Sequence, residues 1–319
     1  METFTKVLEE PGVSQVRAER SIECLLESMI YGSKFLSTQP SERYTHIVDI
    51  IDYYIRHNED ESSNYNAILY PWVNVPQSLN YLKEENNHDQ LKISIDVIKN
   101  LFDDKFNSYD KFPLIDIEEH FPSIKEVDPA LRTELPNVLI PPEHSFENKV
   151  DLKDMSKFTL QILEDDSIPS PSSFDGIILY SVLKDMINLY HRNRIDCAKI
   201  LMDLPTFFPS KFFNNNNNNN NNNNVDESYY RYYSLENCLV STILSEMFSL
   251  PQSKHPNLYY SSLITELCKL SPKTIAPALG KCLRKLYNLL GDGLDTEILI
   301  RLSEWFAVGV FLRKLLHLY

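Results

Sequence analysis

The sequence predicts an all-α protein, a HEAT-like helical-repeat solenoid of antiparallel helix hairpins. From Leu258 to Val308, three segments with apolar residues at helical spacing follow one another, separated only by the short breaks SPK and GDGLD. Such short breaks make neighbouring helices run antiparallel and in contact. The chain also has only 7 glycines against 18 prolines, and most of the prolines lie between the periodic segments. Scarce glycine disfavours the tight turns of β-hairpins.

The apolar stripes of these three segments predict which side of each helix faces the core. We expect Leu267 and Leu283 in particular to be buried where consecutive helices meet. The stripe residues are Leu263, Leu267 and Leu270 in the first segment, Leu279, Leu283, Leu286 and Leu290 in the second, and Ile298, Leu302, Trp305 and Phe306 in the third.

The first half of the chain predicts shorter helices. Residues 1–12 lack a helix cap and predict no regular element. Apolar periodicity predicts helices over residues 16–35, 44–56, 79–82 and 91–102, the last with Ile95, Ile98 and Phe102 facing inward. Six prolines between residues 112 and 148 exclude a long helix and predict an extended connector over the surface.

The second half opens with a candidate helix over residues 151–164, followed by the loop SIPSPSS. Residues 174–190 and 195–204 predict the first clear helix hairpin. Eleven consecutive asparagines then occupy residues 214–224, a composition that cannot build a core and predicts disorder. The tract is either an aggregation- or condensate-prone segment or a repeat expansion tolerated in a surface loop. We favour the second interpretation because loop length costs little free energy.

Charge disfavours a protein that binds nucleic acid by itself. The net charge is −14, from 45 acidic and 31 basic residues, and such a surface repels phosphate backbones. One candidate basic face could still bind phosphates. It consists of Lys281, Arg284, Lys285, Arg313 and Lys314. The alternative, which we favour, is that these are ordinary solvated helix positions.

The five cysteines are Cys24, Cys197, Cys238, Cys268 and Cys282. They include no CxxC pair and lie among apolar helix residues, which indicates reduced core thiols. No apolar run approaches the ~20 residues that span a bilayer, so no membrane partner is predicted.

The sequence predicts no catalytic, cofactor-binding or metal-binding residue, and therefore not an enzyme and no cofactor. The acidic pairs, such as Asp165 and Asp166, lie in hydrophilic loops or at helix ends, where carboxylates are common. None of the 8 histidines has HxxxH or HExxH spacing. Phosphate-binding glycine motifs and a GxSxG elbow are also missing from the sequence.

The aromatic run from Tyr229 to Tyr233 is the most unusual local composition. Tyrosines beside Arg231 can stack on bases or form a protein-binding hot spot. The alternative, which we favour, is that Tyr233 and its neighbour Tyr232 open the helix that continues to Leu250 and pack on the preceding hairpin. Trp72 and Trp305 are likewise expected to be packing residues.

Three stretches carry a resemblance to the large subunit of the nuclear cap-binding proteins. LYYSSLITELCKL, preceded by LVSTILSEMFSLPQSKHPN and followed one helix later by a WF pair, resembles that family's second helical domain. FDGIILYSVLKDMINLYHRNRIDCAKILMDLP resembles the helix pair before it, and GVSQVRAERSIECLLESMIYGSKFL the end of the first helical domain. The second domain is related to the middle domain of translation initiation factor 4G. The resemblance therefore implies that residues 1–60 end a preceding helical domain and that residues 61–319 form the second.

The resemblance also implies a function. In that family the large subunit is a nuclear scaffold that orders a small RNA-recognition subunit, and the small subunit holds the mRNA 5′ cap. The complex acts in nuclear pre-mRNA processing and splicing, RNA export and mRNA surveillance. The implied partners are thus the small cap-binding subunit directly and capped RNA only indirectly.

The chain departs from the family pattern at both ends. It begins inside the first domain and stops before the third, which predicts a truncated copy or a fragment. Because the family holds its small subunit against the second and third domains together, weakened binding of that subunit is expected. The alternatives are a helical-repeat adaptor for other translation or RNA-decay proteins, and a non-functional truncated paralogue.

Overall fold

A computed structural model of the chain describes residues 2–8, 10, 15–32, 45–54, 90–103, 140–141, 160–163, 165–208, 212–213 and 233–316. Helices account for most of these residues. No strand occurs among them, and an isolated bridge joins Phe213 to Tyr233. The all-α prediction is confirmed. Residues 79–82, nearly all of the 112–148 connector and the 214–224 asparagine tract lie outside the described residues.

The described residues fall into two compact units, of which the first comprises residues 1–57 and 94–150. It contains α1 (Glu2–Leu8), α2 (Gln15–Tyr31), α3 (residues 45–54) and most of α4 (Gln90–Asp103). The expectation of no regular element in residues 1–12 was wrong. α1 packs against α2 and its Val7 is 2% exposed, so burial rather than capping stabilises this short helix.

Helices α3 and α4 were both predicted. Ile51 and Ile98 are buried, and Lys99 Nζ lies 2.6 Å from Asp52 Oδ1, which ties the two helices together. On α4 the neighbouring Leu101 is buried, whereas Phe102 is only half-buried.

The second unit, residues 58–93 and 151–319, holds the helices that carry the functional argument. They are α5 (Phe174–Leu189), α6 (Arg194–Asp203), α7 (Leu235–Met247), α8 (Asn257–Leu270), α9 (Pro272–Leu289) and α10 (Thr296–Leu316). Side chains of Ser173, Asn193 and Ser234 accept hydrogen bonds from the first turns of α5, α6 and α7. These residues are effective N-caps, so the sequence itself sets where these helices begin.

Short connections arrange these helices as hairpins. Four residues separate α5 from α6. Across this turn, Cys197 Sγ of α6 lies 3.8 Å from Met186 O of α5. Only Ser271 separates α8 from α9. Between α9 and α10 the chain turns at Gly293, whose φ of 93° favours glycine. Together these contacts make the helical-repeat architecture that the sequence predicted.

Helix α7 lies at the centre of the stack. Every residue from Cys238 to Met247 is buried, on all sides of the helix, because α7 packs against α5, α8 and α9. Its polar side chains are paired: Thr242 Oγ1 donates to Cys238 O at 2.8 Å, and Glu246 lies 3.3 Å from Lys184 of α5.

The predicted stripes are correct for α8 at Leu263 and Leu267, both fully buried, but wrong at Leu270, which is 48% exposed. On α9 the prediction is correct at Leu286, which is fully buried, but the rest of the buried stripe lies one position away from the predicted one. Leu283 is only half-buried, whereas Cys282 is fully buried. The residues of α9 that are buried share one face: Ile275, Ala278, Cys282, Leu286 and Leu289. Both faces carry apolar residues at helical spacing, and packing against α7 selects one of them.

On α10 the prediction holds at Ile298 and Leu302, which are buried, and Trp305 is half-buried. Phe306 is 45% exposed, so only the tryptophan of the WF pair packs inward.

The candidate helix over residues 151–164 was wrong for the part that the structure describes. Residues 160–163 form neither helix nor strand. Leu160, Ile162 and Leu163 are at most 3% exposed, so the segment is a buried strap whose apolar run resembled a helix.

Candidate functional site

The strap of residues 160–170 is held along the stack through its main-chain carbonyls. Ser245 Oγ of α7 donates to Leu160 O at 2.8 Å. At the other end of α7, the Ser234 amide donates to Ser167 O at 2.7 Å. Because Leu160 pairs with the end of α7 and Ser167 with its beginning, the strap runs antiparallel to that helix.

Two more helices bind the strap. Tyr180 OH of α5 donates to Pro169 O at 2.8 Å, and Lys281 Nζ of α9 lies 2.6 Å from Asp165 Oδ2. The approach is so close that Ser170 O occupies the place where a side chain on Gly176 would begin. The stack therefore binds a non-helical segment of its own chain through hydroxyl and ammonium donors.

Asp165 belongs to one of the acidic pairs considered for catalysis. Burial acts to raise the pKa of its carboxyl group, but hydrogen bonds from Lys281 and Ser167 outweigh that effect and lower the pKa. A carboxylate that stays ionised cannot act as a general acid near neutral pH, so Asp165 anchors the strap instead.

The basic face predicted on α9 is only partly available. Lys281 is committed to Asp165 and also donates to Ser167 Oγ at 3.2 Å. Arg284 is exposed, and the side chains of Arg313 and Lys314 lie outside the described residues. The structure thus favours ordinary helix positions over a phosphate-binding surface.

The five cysteines are free thiols, and three of them lie in the core of the helical stack. Cys197, Cys238 and Cys282 are buried, while Cys24 and Cys268 are half-buried. Burial raises the pKa of the Cys282 thiol to about 12. A thiol that keeps its proton is a poor nucleophile, in agreement with the prediction of core thiols.

No group of three or more histidine, cysteine or carboxylate side chains within the described ranges could hold a metal ion. An open groove of about 510 Å³ lies between the 251–257 loop and α10. Its one buried cation, Arg301, is already used: it contacts Glu297 at 2.8 Å and donates to the carbonyls of Ser249 and Pro251. The guanidinium therefore fixes the loop against α10.

Of the aromatic run, only Tyr233 lies in the part of the chain that the structure describes. Tyr233 is 6% exposed, and its ring centroid lies 5.2 Å from that of Phe212. This position supports the packing interpretation over a platform for bases. Trp72, outside the described residues, remains untested.

One cluster was missed by the sequence analysis. The rings of His191 and His255 stack with centroids 4.7 Å apart, and His255 Nε2 lies 2.9 Å from Asn188 Oδ1. These residues are 64 positions apart in the sequence, counted from their numbers, so no local spacing could reveal the contact. The cluster joins the turn between α5 and α6 to the start of α8.

Comparison with known proteins agrees with this geometry. Residues 169–312, which run from the strap to α10, match the family described as MIF4G like. The chain is 29% identical to nuclear cap-binding protein subunit 1 of Schizosaccharomyces pombe over 140 residues, or 44% of this chain and 18% of that protein. Nuclear cap-binding protein complex subunit 1 of Saccharomyces cerevisiae is 27% identical over 140 residues, or 43% of this chain and 16% of that protein. The Eremothecium gossypii protein of the same name gives the same three percentages.

The resemblance to the cap-binding large subunit is thereby confirmed for part of the chain. The similarity is modest in identity, and it spans less than a fifth of the length of these relatives. It falls on the helical stack of the second unit. The resemblance of residues 12–36 to the end of that family's first helical domain stays a prediction.

In the part of the chain that the structure describes, no helix is both long enough and apolar enough to cross a membrane.

Proposed function

We propose that this chain is a protein scaffold of the cap-binding type, without enzymatic activity of its own. It supports binding of the mRNA 5′ cap through a small RNA-recognition subunit. The proposal rests on the match of residues 169–312 to the MIF4G like family, together with the similarity over 140 residues to subunit 1 of nuclear cap-binding proteins. A stack of packed helices suits a scaffold, because it presents an extended surface to partners.

The proposal also covers the compartment in which the chain acts and the RNA processes in which it takes part. We place the chain in the nucleus, in pre-mRNA processing, splicing, export and nonsense-mediated decay, as the names of the relatives and the sequence resemblance suggest. Residues 1–60 would end one helical domain and residues 61–319 would form the next. Contact with capped RNA would be indirect, because the net charge of −14 opposes direct phosphate binding.

Binding to immobilised 7-methylguanosine cap analogue tests this function. The purified chain alone should show no preference for capped over uncapped RNA. The test then adds the small cap-binding subunit of the same organism and asks whether this chain is retained with it on the resin. Retention that free cap analogue competes away supports the proposal.

Strong cap-dependent binding by the isolated chain contradicts the scaffold role. Failure to associate with the small subunit removes the cap-complex function and leaves the fold unchanged. A second candidate, a helical-repeat adaptor for other translation or RNA-decay proteins, is then favoured, since the similarity covers only 16–18% of the relatives' length.

A further inference from the structure

The end of α5 and the start of α8 are fixed against each other by several contacts. His191 stacks on His255, and His255 Nε2 lies 2.9 Å from Asn188 Oδ1. Tyr259 OH donates to Ile187 O at 2.7 Å. These contacts hold residues 187–191 and residues 255–259 next to each other.

Large aliphatic side chains are exposed on this part of the surface. Leu189 is 71% exposed, Leu258 is 65% exposed and Ile195, at the start of α6, is 46% exposed. Leu189 and Leu258 belong to the two segments that the histidine pair joins. Clustered exposure of aliphatic side chains on a rigid surface is typical of a protein-binding site.

Two exposed cations lie beside these side chains, although the chain as a whole is acidic. Arg192 and Lys254 are exposed, and neither forms an ion pair within the described residues. Asp185 is an exposed carboxylate one turn before Leu189, whereas two other nearby carboxylates have cationic partners. Asp196 lies 3.5 Å from Lys199, and Glu266 lies 3.4 Å from Arg194.

We propose that Leu189, Arg192, Ile195, Lys254 and Leu258, here called the Leu189 surface, dock a short acidic segment of a partner protein. The segment would carry large apolar side chains flanked by Asp or Glu. Its apolar side chains would cover the exposed leucines, and its carboxylates would pair with the two free cations. This inference does not depend on the cap-binding function.

RNA is the other polyanion that these cations could attract, and the structure disfavours it. Two free cations neutralise few phosphates, and the chain carries a net charge of −14. Single-stranded RNA also binds largely by stacking on aromatic rings, whereas the exposed apolar side chains here are aliphatic.

The test uses the full-length chain and fluorescence anisotropy of a labelled synthetic peptide. The probe is a 14-residue peptide with four leucines separated by Asp and Glu. In a second peptide the leucines are replaced by serine, which tests the contribution of the apolar side chains. In a third peptide the acidic residues are replaced by lysine, which tests the contribution of charge. A labelled uridine 14-mer is the RNA probe.

Two variants alter the Leu189 surface: the double charge reversal Arg192→Glu with Lys254→Glu, and Leu258→Ser. Matched controls are Lys273→Glu and Tyr287→Ser, since Lys273 is an exposed cation and Tyr287 is 74% exposed, both on α9. Thermal unfolding of each variant should match the wild type, because all of these side chains lie at the surface.

We expect the acidic leucine peptide to bind the wild type and both controls with the same affinity. The double reversal should weaken binding at least about tenfold, and Leu258→Ser at least about fivefold. The serine and lysine peptides should not bind. Three results overturn the proposal: no binding of the acidic leucine peptide, equal loss in the controls, or tighter binding of the uridine 14-mer that the same reversal abolishes.

Discussion

Replacement of Leu267 by alanine tests the packing of the helical stack. Leu267 is fully buried on α8, which packs against α6, α7, α9 and α10. Truncation removes three carbons, worth about 2.4 kcal/mol at ~0.8 kcal/mol each. A residual cavity of roughly 50–100 Å³ adds about 1–2.5 kcal/mol where neighbours do not collapse. The free energy of unfolding should therefore fall by about 2–5 kcal/mol.

The same helix provides the matched control. Leu270, one turn further along, is 48% exposed, so Leu270→Ala should cost less than about 1 kcal/mol. Urea denaturation followed by far-UV circular dichroism measures both variants. For a unit of this size, the Leu267 variant should lower the midpoint of thermal unfolding by roughly 4–20 °C. If the two variants lose equal stability, or if Leu267→Ala costs less than about 0.5 kcal/mol, the assigned core face of α8 is wrong.

Three further outcomes are expected. Ser245→Ala should lower the free energy of unfolding by about 1–3 kcal/mol in urea denaturation, because it leaves Leu160 O buried without its donor. Cys282 should resist alkylation by iodoacetamide at pH 8 until urea unfolds the protein, as seen by mass spectrometry. Its pKa is raised from 9.0 to about 12, so its contribution to stability is lost as pH rises from 9.0, where an unfolded thiol ionises, towards 12. Deletion of residues 214–224 should change the free energy of unfolding by less than about 1 kcal/mol, measured by urea denaturation, since loop length has a small effect on closure entropy.

Most of the candidate site could not be predicted from the sequence. The polar residues that hold the strap, Ser245 and Tyr180, are 65 positions apart, and neither belongs to a recognisable motif. The pairing of Lys281 with Asp165 joins residues 116 positions apart. Only the fold brings such groups together, so the sequence could not show that Lys281, one member of the candidate basic face, forms an ion pair within the chain.

Local information in the sequence determined the helices themselves. Ser173, Asn193 and Ser234 cap the helices that follow them, and Pro272 and Gly293 mark the breaks of the final hairpins. These signals act within one or two turns of a helix, so they operate before any tertiary contact forms. The all-α class and the similarity of part of the chain to cap-binding subunit 1 also follow from the sequence alone.

Tertiary structure decided which face of each helix is buried. On α9 both Leu283 and Cys282 lie on apolar stripes at helical spacing, and packing against α7 buries Cys282 fully while Leu283 stays half-exposed. Likewise, Leu160 and Ile162 lie in an apolar run that periodicity alone assigned to a helix, whereas the structure shows the run buried beside α7 without helical structure. Periodicity fixes the spacing of apolar residues along a chain, but the choice among faces depends on the neighbouring helix.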